Sequence, residues 1–506
     1  MDASKAYEQL LDRMKEIALL GNTAGVLGWD QEVYMPGANA PYRAEQLSLL
    51  AGMIHAKFTD PKVGEWIAQA SSSKEMTGNP ESNSAVNLRE WKKSYERSTK
   101  LPQRLVEEMT RVTSQAQVEW VEARKKNEFK RFQPWLDKII PLCQEQAKCY
   151  GYEKHPYDAL LEDYEPGLTT EELDRLFPPL KKKLSDLVQK IGNSKKKPDL
   201  SILKRPCPIP AQQAFCRELS EGIGFDFERG RIDVSAHPFT TGLGPGDTRI
   251  TTRFEETNFE NAFFSTLHEG GHGIYDQNLP SSMELYGTPR ASAVSLGIHE
   301  SQSRLWENLV GRSLPFWKHF FPRLKKAFPG TFDDLTVEAF HFAINHSAPS
   351  FIRTESDEVT YNLHICLRYD IEVGLIGGKL KTADIPAAWN EAMRNYLGVT
   401  PPTDALGCLQ DVHWSHGSFG YFPTYTLGNL YSAQFFAAAD KELGGLDAKF
   451  EKGDFAPLKG WLNKKIHALG QTYRAGDLCK KVTGQDLTSD FFLDHLGKKF
   501  GGLYGF

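Results

Sequence analysis

The sequence lacks the features that mark secreted, membrane-spanning and nucleic-acid-binding proteins. Its seven cysteines are scattered and contain no C-x-x-C pair, which argues against a disulfide framework and favours a reducing compartment. The amphipathic N-terminal segment has no uninterrupted apolar core, so it is expected to be neither a signal peptide nor a membrane span. The net charge of −5 has the wrong sign for a nucleic-acid scaffold. We therefore expect a cytoplasmic protein of the cytosol that binds neither membranes nor nucleic acids.

Repeats, low-complexity tracts and long linkers are also missing, so we expect residues 1–506 to form a single, mostly α domain. Residues 1–224 are predicted to be its mainly helical first half. Pro134 is expected close to a helix start, and Pro178-Pro179 is expected to kink or split the helix that follows Thr169. The helical patterns in this half lie near residues 41–57, 83–99, 102–128 and 134–150.

The pattern changes between residues 225 and 256. Two segments, 231–234 and 248–254, alternate and are rich in β-branched side chains, with glycines between them, which predicts a small sheet of two or three short antiparallel strands. An exposed edge strand could hold an extended peptide, or the hairpin could simply cover a cleft floor. Residues 257–506 are predicted to be helical again, beginning with a capping box of Thr257 and Glu260. The clearest later helices are predicted at 300–312, 355–377 and 384–397.

The most informative string is His268-Glu269-Gly270-Gly271-His272. On an α-helix both histidines project from one face, where they could bind zinc with the glutamate beside the open position as general base. A chance match on an amphipathic helix is the alternative. Each glycine costs roughly 1 kcal/mol relative to alanine inside a helix, so two in a row indicate that another backbone approaches closely there.

A catalytic zinc needs a third protein ligand as well as an open position. Glu300 is the leading candidate because it follows His272 by 28 residues, which is enough for a loop and a returning helix. Asp276, Glu284 and His299 remain alternatives from the residues alone. Asp276 lies one turn beyond His272 and is expected to tilt away from the cavity.

Besides the string His268-Glu269-Gly270-Gly271-His272, the chain contains these ordered motifs: His237-Pro238-Phe239, Asp247-Thr248-Arg249-Ile250-Thr251, His299-Glu300-Ser301-Gln302, Ile352-Arg353-Thr354-Glu355-Ser356-Asp357 and Gly407-Cys408-Leu409-Gln410-Asp411-Val412-His413-Trp414. In these motifs the chain resembles the carboxypeptidase Taq family of zinc metallocarboxypeptidases. One departure is Ser356, where the family's arginine string has alanine; this change should not affect the arginine. The resemblance covers nearly the whole chain.

The resemblance implies a large helical body cut by a long substrate groove, similar to the neurolysin-like peptidases, and a homodimer. It implies one Zn²⁺ per subunit, which Co²⁺ can replace, and release of single amino acids from peptides with a free C-terminus. His268, His272 and Glu300 would be the metal ligands and Glu269 the general base and acid.

Two further groups of residues are candidates for substrate contacts. Tyr421 and Tyr425 are the first candidates to donate a hydrogen bond to the oxyanion that forms at the scissile carbonyl, and His413 and His237 are the next. For the two tyrosines the alternative is packing in the core.

An exopeptidase must also bind the free carboxylate, which suits the planar fork of arginine. Arg353 is the first choice and Arg249 the second. The alternative for each is a structural ion pair, with Asp357 and Asp247 respectively.

Two rival functions remain open. An endopeptidase or dipeptidyl carboxypeptidase could use the same zinc site, because the ligands do not set the cleavage register. A non-catalytic peptide-binding protein could retain the fold, although none of the predicted catalytic residues is missing.

Overall fold

Helices make up 68% of the computed structural model, which describes residues 2–506 and confirms the mostly α prediction. The likeness to neurolysin-like peptidases stays a prediction. In chain order, the α-helices are α1 Ala3–Val33, α2 Ala40–Phe58, α3 Pro61–Ser71, α4 Lys74–Thr77, α5 Asn83–Lys100, α6 Gln103–Lys126, α7 Phe129–Tyr150, α8 Pro156–Leu161, α9 Thr170–Asn193, α10 Ile209–Ile223, α11 Phe259–Asn278, α12 Leu296–Arg304, α13 Leu314–Ala327, α14 Val337–Ile344, α15 Tyr361–Ile376, α16 Ile385–Leu397, α17 Pro423–Glu442, α18 Asp447–Phe450, α19 Ala456–Lys465, α20 Ala475–Thr483 and α21 Asp490–Tyr504.

Several short helical turns connect these elements. A π-helix, Leu305–Val310, continues α12 directly. The 3₁₀ turns are Gly37–Asn39, Leu200–Lys204, Pro289–Ala291, Arg353–Glu355, Thr382–Asp384, His413–His416 and His467–Thr472.

Two clusters of buried apolar side chains hold the helices together. The larger one draws on elements from α6 to α21 and surrounds α11. A smaller cluster lies between α1, α3 and α5. Within residues 2–506, every helix is too short or too polar to cross a membrane.

The small sheet is mixed, so the prediction of an antiparallel sheet is wrong in one of its two pairings. Its strands are β1 Gly230–Val234, β2 Thr240–Gly242 and β3 Thr248–Thr252, in the order β1-β3-β2. β2 and β3 form the expected antiparallel hairpin, whereas β1 pairs with the other side of β3 and runs parallel to it. β2 therefore lies at an edge of the sheet.

The predicted capping box is also wrong. Asn258 is the residue before α11, and its side chain makes no capping hydrogen bond. The Glu260 carboxylate instead lies 3.7 Å from the Arg312 guanidinium, so a tertiary ion pair replaces the local one.

Prolines interrupt the helices less than predicted. α7 begins at Phe129, five residues before Pro134, because burial of Phe129 and Phe132 in the core extends the helix. α9 runs through Pro178 and Pro179 without splitting, with buried leucines on both sides of the pair.

Two later helices differ from their predicted bounds. α12 begins at Leu296, because the Ser295 hydroxyl accepts the Ile298 N–H at 3.0 Å and caps the helix. α15 begins only at Tyr361, because the Asp357 carboxylate binds the backbone N–H groups of the preceding turn.

Gly271, the second glycine of the His268–His272 string, lies at a close crossing of two helices, as predicted. A Cβ added to Gly271 would lie 2.6 Å from the Gln302 carbonyl oxygen and 2.7 Å from Cα of Ser303, both in α12. A Cβ added to Gly428 of α17 would lie 2.5 Å from Cγ of Glu300, on the other side of α12. The helix that carries Glu300 is thus held between two glycine contacts.

Candidate metal centre and peptide site

Helices α11 and α12 bring His268, His272 and Glu300 together. Nε2 of His268 and Nε2 of His272 lie 3.7 and 3.3 Å from Oε2 of Glu300, and one ligand atom from each residue lies within 4.8 Å of the other two. In a tetrahedral zinc site with ligands at about 2.0–2.1 Å, neighbouring ligand atoms are about 3.3 Å apart. The spacing and the donor types therefore fit one divalent ion.

The outward nitrogens of both imidazoles are already hydrogen bonded. Nδ1 of His268 lies 2.9 Å from Oε2 of Glu307, and Nδ1 of His272 lies 2.5 Å from Nδ1 of His299. Nε2 of His299 lies in turn 2.9 Å from Oδ1 of Asp276. Both ligand histidines thus keep Nε2 for the centre of the cluster.

Among the four candidates for a third ligand, Glu300 is the one whose carboxylate reaches both imidazoles. Its other oxygen, Oε1, accepts a hydrogen bond from Nε of Arg304 at 2.7 Å. Asp276 and His299 bind each other behind His272, and Glu284 is exposed in the loop after α11.

Charge and burial oppose each other at this cluster. Burial alone would raise the pKa of Glu300, but Arg304 and the two imidazoles hold that pKa well below its usual range. Burial lowers the pKa of His272. At His268 burial also disfavours the proton, but the Glu300 and Glu307 carboxylates outweigh it and raise the pKa. The Glu300 carboxyl is therefore ionised.

Glu269 is buried, and a residue of the small sheet binds its carboxylate. The Thr240 hydroxyl lies 2.6 Å from Oε2 of Glu269 and 3.0 Å from its carbonyl oxygen. Thr240 is the first residue of the edge strand β2. The candidate base therefore lies directly beside an edge to which an extended peptide could bind.

Arg353 is buried in a network with an unexpected partner. Its Nε and Nη2 donate to Oδ1 of Asp411 at 3.1 and 2.8 Å, and Nη1 donates to the Tyr361 hydroxyl at 3.0 Å. The opposite oxygen of Asp411 binds Arg368 at 2.6 Å. The alternative ion pair with Asp357 is wrong, because that carboxylate binds Ser347 and nearby backbone N–H groups.

Arg249 forms the ion pair that was its structural alternative. Nε and Nη2 donate to the two oxygens of Asp247 at 2.9 and 2.8 Å, and the guanidinium lies 4.3 Å from the centroid of the Trp29 ring. His237 lies in the exposed turn between β1 and β2, where its carbonyl accepts the Ser235 hydroxyl at 2.6 Å.

Aromatic rings fill the space beside Arg353. Tyr421 and Tyr425 have ring centroids 5.3 Å apart, His413 lies 5.2 Å from Tyr421, and the Arg353 guanidinium lies 5.0 Å from the Tyr425 centroid. Burial and the charge of Glu300 raise the pKa of Tyr421, so its hydroxyl keeps its proton. Burial lowers the pKa of His413 to about 4, so this imidazole is neutral at pH 7. The ring contacts of Tyr425 also fit the packing alternative.

Sequence reasoning missed several residues that support the site. The sequence could have indicated Arg304 and Glu307, because they follow Glu300 by four and seven residues on the same helical run and so share its face. Asp411 was quoted as part of a motif but given no role. Thr240 carried no sequence signal, since its contact with Glu269 depends on how the sheet packs on α11.

Comparisons with known proteins identify the family of this chain. Residues 9–500 match the family described as carboxypeptidase Taq (M32) metallopeptidase. The chain is 46% identical to thermostable carboxypeptidase 1 of Thermus thermophilus and 38% identical to carboxypeptidase 1 of Bacillus subtilis, covering 100% of both chains in each case. It is similar to the crystal structure of the M32 carboxypeptidase from Deinococcus radiodurans, with a TM-score of 0.95 and 38% identity over 99% of this chain and all of that one. The chain belongs to the carboxypeptidase Taq (M32) family of metallocarboxypeptidases.

Proposed function

We propose that this chain is a zinc carboxypeptidase that removes one C-terminal residue at a time. His268, His272 and Glu300 would hold one Zn²⁺ per subunit, with Co²⁺ as a functional substitute, because two imidazole nitrogens and a carboxylate are a catalytic zinc donor set. When bound, the ion would polarise the scissile carbonyl and make a water molecule more acidic. Membership of a metallocarboxypeptidase family supports the metal requirement.

Glu269 is the proposed general base and acid. Its carboxylate accepts a proton from the attacking water and then donates it to the nitrogen of the leaving residue as the C–N bond breaks. The Thr240 hydroxyl contact supports this role because it fixes the carboxylate next to the sheet edge. Tyr421, which stays protonated, donates to the oxyanion, with neutral His413 beside it.

The surplus charge around Arg353 is the observation that carries the carboxypeptidase assignment. One carboxylate, Asp411, lies between two buried guanidiniums, Arg353 and Arg368, so these three residues together carry one surplus positive charge. Three of the five N–H groups of Arg353 are used within residues 2–506, which leaves two for a substrate. A buried guanidinium that carries surplus charge and keeps two unused N–H groups is suited to a substrate carboxylate.

The other substrate-binding assignments are secondary proposals. β2 pairs with β3 on one side only in the described sheet, and its other edge would bind the peptide backbone. Tyr425 would pack on the substrate beside Arg353. Arg249 is neutralised by Asp247 and would contribute less, with His237 at the exposed end of the same hairpin.

A comparison of two peptides that differ only in a free or amidated C-terminus tests the assignment. Leaving the buried charge unpaired costs about 2–5 kcal/mol, so amidation should slow cleavage at least roughly thirty-fold. Equal rates would leave an endopeptidase. Products from one hexapeptide separate release of single residues from release of dipeptides. Activity that survives removal of the metal would reject the metalloenzyme, and peptide binding without turnover in the metal-loaded protein would favour a peptide-binding role.

We also propose a cytosolic homodimer that assembles through the α1–α2 hairpin. α2 packs mainly against α1 and exposes Tyr42, Leu49 and Met53, with Leu49 67% exposed. Burying such apolar surface against a second copy is favourable by about 25 cal/mol per Å². Light scattering should give two subunits for the parent and one for Leu49→Glu; equal masses would reject this face.

A further inference from the structure

His299 and Asp276 form a hydrogen-bonded chain behind His272, outside the set of metal ligands. Nδ1 of His272 contacts Nδ1 of His299 at 2.5 Å, and Nε2 of His299 contacts Oδ1 of Asp276 at 2.9 Å. His299 also lies 5.1 Å from the ring centroid of Tyr275, which restricts its rotation. The chain thus runs from the candidate metal site to a carboxylate.

The chemistry of the three groups determines where the hydrogens lie. The Asp276 carboxylate only accepts, so Nε2 of His299 carries a hydrogen. When His272 binds an ion through Nε2, its only hydrogen lies on Nδ1, which then donates to the lone pair on Nδ1 of His299. Nε2 of His272 is then left with its lone pair, directed toward Glu300 at 3.3 Å.

We propose that His299 and Asp276 are positioning residues that fix His272 in the tautomer and ring orientation required for metal binding, an inference that rests on the proposed metal site. His268 achieves the same result in one step, because its Nδ1 contacts the Glu307 carboxylate directly at 2.9 Å. The two ligand histidines therefore use different supports. Loss of such a supporting partner weakens metal binding by 10–100-fold in typical sites.

Asp276 offers a substitution with little effect on packing. Its carboxylate lines a cavity of about 470 Å³ between α1, the β2–β3 turn and the loop after α11. Shortening this side chain therefore removes the hydrogen bond to His299 without opening a hole in the core. Asp276→Ala removes the acceptor, whereas Asp276→Asn keeps one oxygen that can accept from Nε2 of His299.

The experiment measures the dissociation constants of Zn²⁺ and Co²⁺ on metal-stripped full-length protein, by competition with a chromophoric chelator. His299→Phe, which cannot accept a hydrogen bond, should bind both ions about 10–100-fold more weakly. His299→Gln, whose amide oxygen can accept from His272, should recover most of the affinity. The visible spectrum of bound Co²⁺ should change in His299→Phe and stay close to that of the parent in His299→Gln. Glu284→Gln, in the exposed loop, is the control and should match the parent.

Equal affinities for the parent and His299→Phe would overturn the inference. If His299→Phe fails to fold by circular dichroism, the Asp276 pair decides: Asp276→Ala must bind at least about fivefold more weakly than Asp276→Asn, and equal values would overturn the inference. A parent that binds no ion, or keeps its ion in His268→Ala, would instead reject the proposed metal site itself.

Discussion

Arg353→Gln removes the proposed carboxylate anchor while leaving its surroundings neutral. Asp411 keeps its contact with Arg368 at 2.6 Å after the substitution, so no carboxylate is left unpaired in the interior. What disappears is the surplus positive charge, together with the two unused N–H groups. The variant should therefore fold and still lose its preference for a free C-terminus.

The size of the effect follows from the burial of the guanidinium. Arg353 is 6% exposed, so a substrate carboxylate bound there would be removed from water and paired at short range. Loss of one partner from a buried charge pair costs about 2–5 kcal/mol. This cost corresponds to a fall in kcat/KM for the acid peptide of roughly thirty-fold to several thousand-fold.

The assay compares acid and amide forms of one peptide on the parent and the variant. The parent should prefer the acid strongly, and Arg353→Gln should bring the acid-to-amide ratio close to one by losing activity on the acid alone. Arg249→Gln is the matched control; its guanidinium is already neutralised by Asp247, so its ratio should change less. An acid-to-amide ratio that is the same in Arg353→Gln and in the parent would refute the anchor.

Three further predictions concern the base, the helix crossing and acid stability. Glu269→Gln should lower kcat by about 10²–10⁴-fold with unchanged metal content by elemental analysis; turnover within about tenfold of the parent would contradict the base. Gly271→Ala should force α12 away and weaken Zn²⁺ binding at least about tenfold in a chelator competition. Gly460→Ala, where the added Cβ meets open space, is the control and should bind Zn²⁺ as the parent does. Burial opposes ionisation of Glu358, but Lys499 and His495 lower its pKa from 4.5 to about 2. Because the pKa of Glu358 is lower in the folded than in the unfolded state, about 3 kcal/mol of stability present above pH 4.5 is lost as the pH falls toward 2. Calorimetry at pH 7 and pH 3 should therefore show a smaller loss of stability in Glu358→Gln than in the parent. Equal losses would contradict this role of Glu358.

The sequence was sufficient for the parts of the site that lie close together on helices. His268 and His272 share a face because of helical geometry alone, and the paired glycines correctly indicated a backbone crossing, which α12 makes at Gly271. Both inferences use local geometry, which a single sequence contains. Spacing alone left Glu300 as the leading one of four candidates for the third ligand, and the resemblance to the family singled it out.

Contacts between distant segments could not be predicted in this way. The ion pair of Arg353 joins residues 58 positions apart, and the nearer carboxylate of Asp357 is used by local backbone instead. The parallel pairing of β1 with β3 likewise depends on which edge of the hairpin is covered. Both outcomes depend on how distant segments pack together, which spacing along a single sequence does not give.

The cleavage register depends on the separation between the metal ligands and the Arg353 anchor, and Tyr361 limits that separation. The Arg304 guanidinium, bound to Glu300, lies 4.5 Å from the centroid of the Tyr361 ring, and the Arg353 guanidinium lies 5.9 Å from the same centroid. An anchor for dipeptide release would have to lie about 3.5 Å further from the metal, the length of one extended residue. Arg353 cannot move by that amount while it keeps its bonds to Asp411 and Tyr361 and the bond from its backbone N–H to Gln410. The proposed release of single residues therefore requires this network to hold Arg353 in place, and variants that loosen it, such as Tyr361→Leu, should release a mixture of single residues and dipeptides.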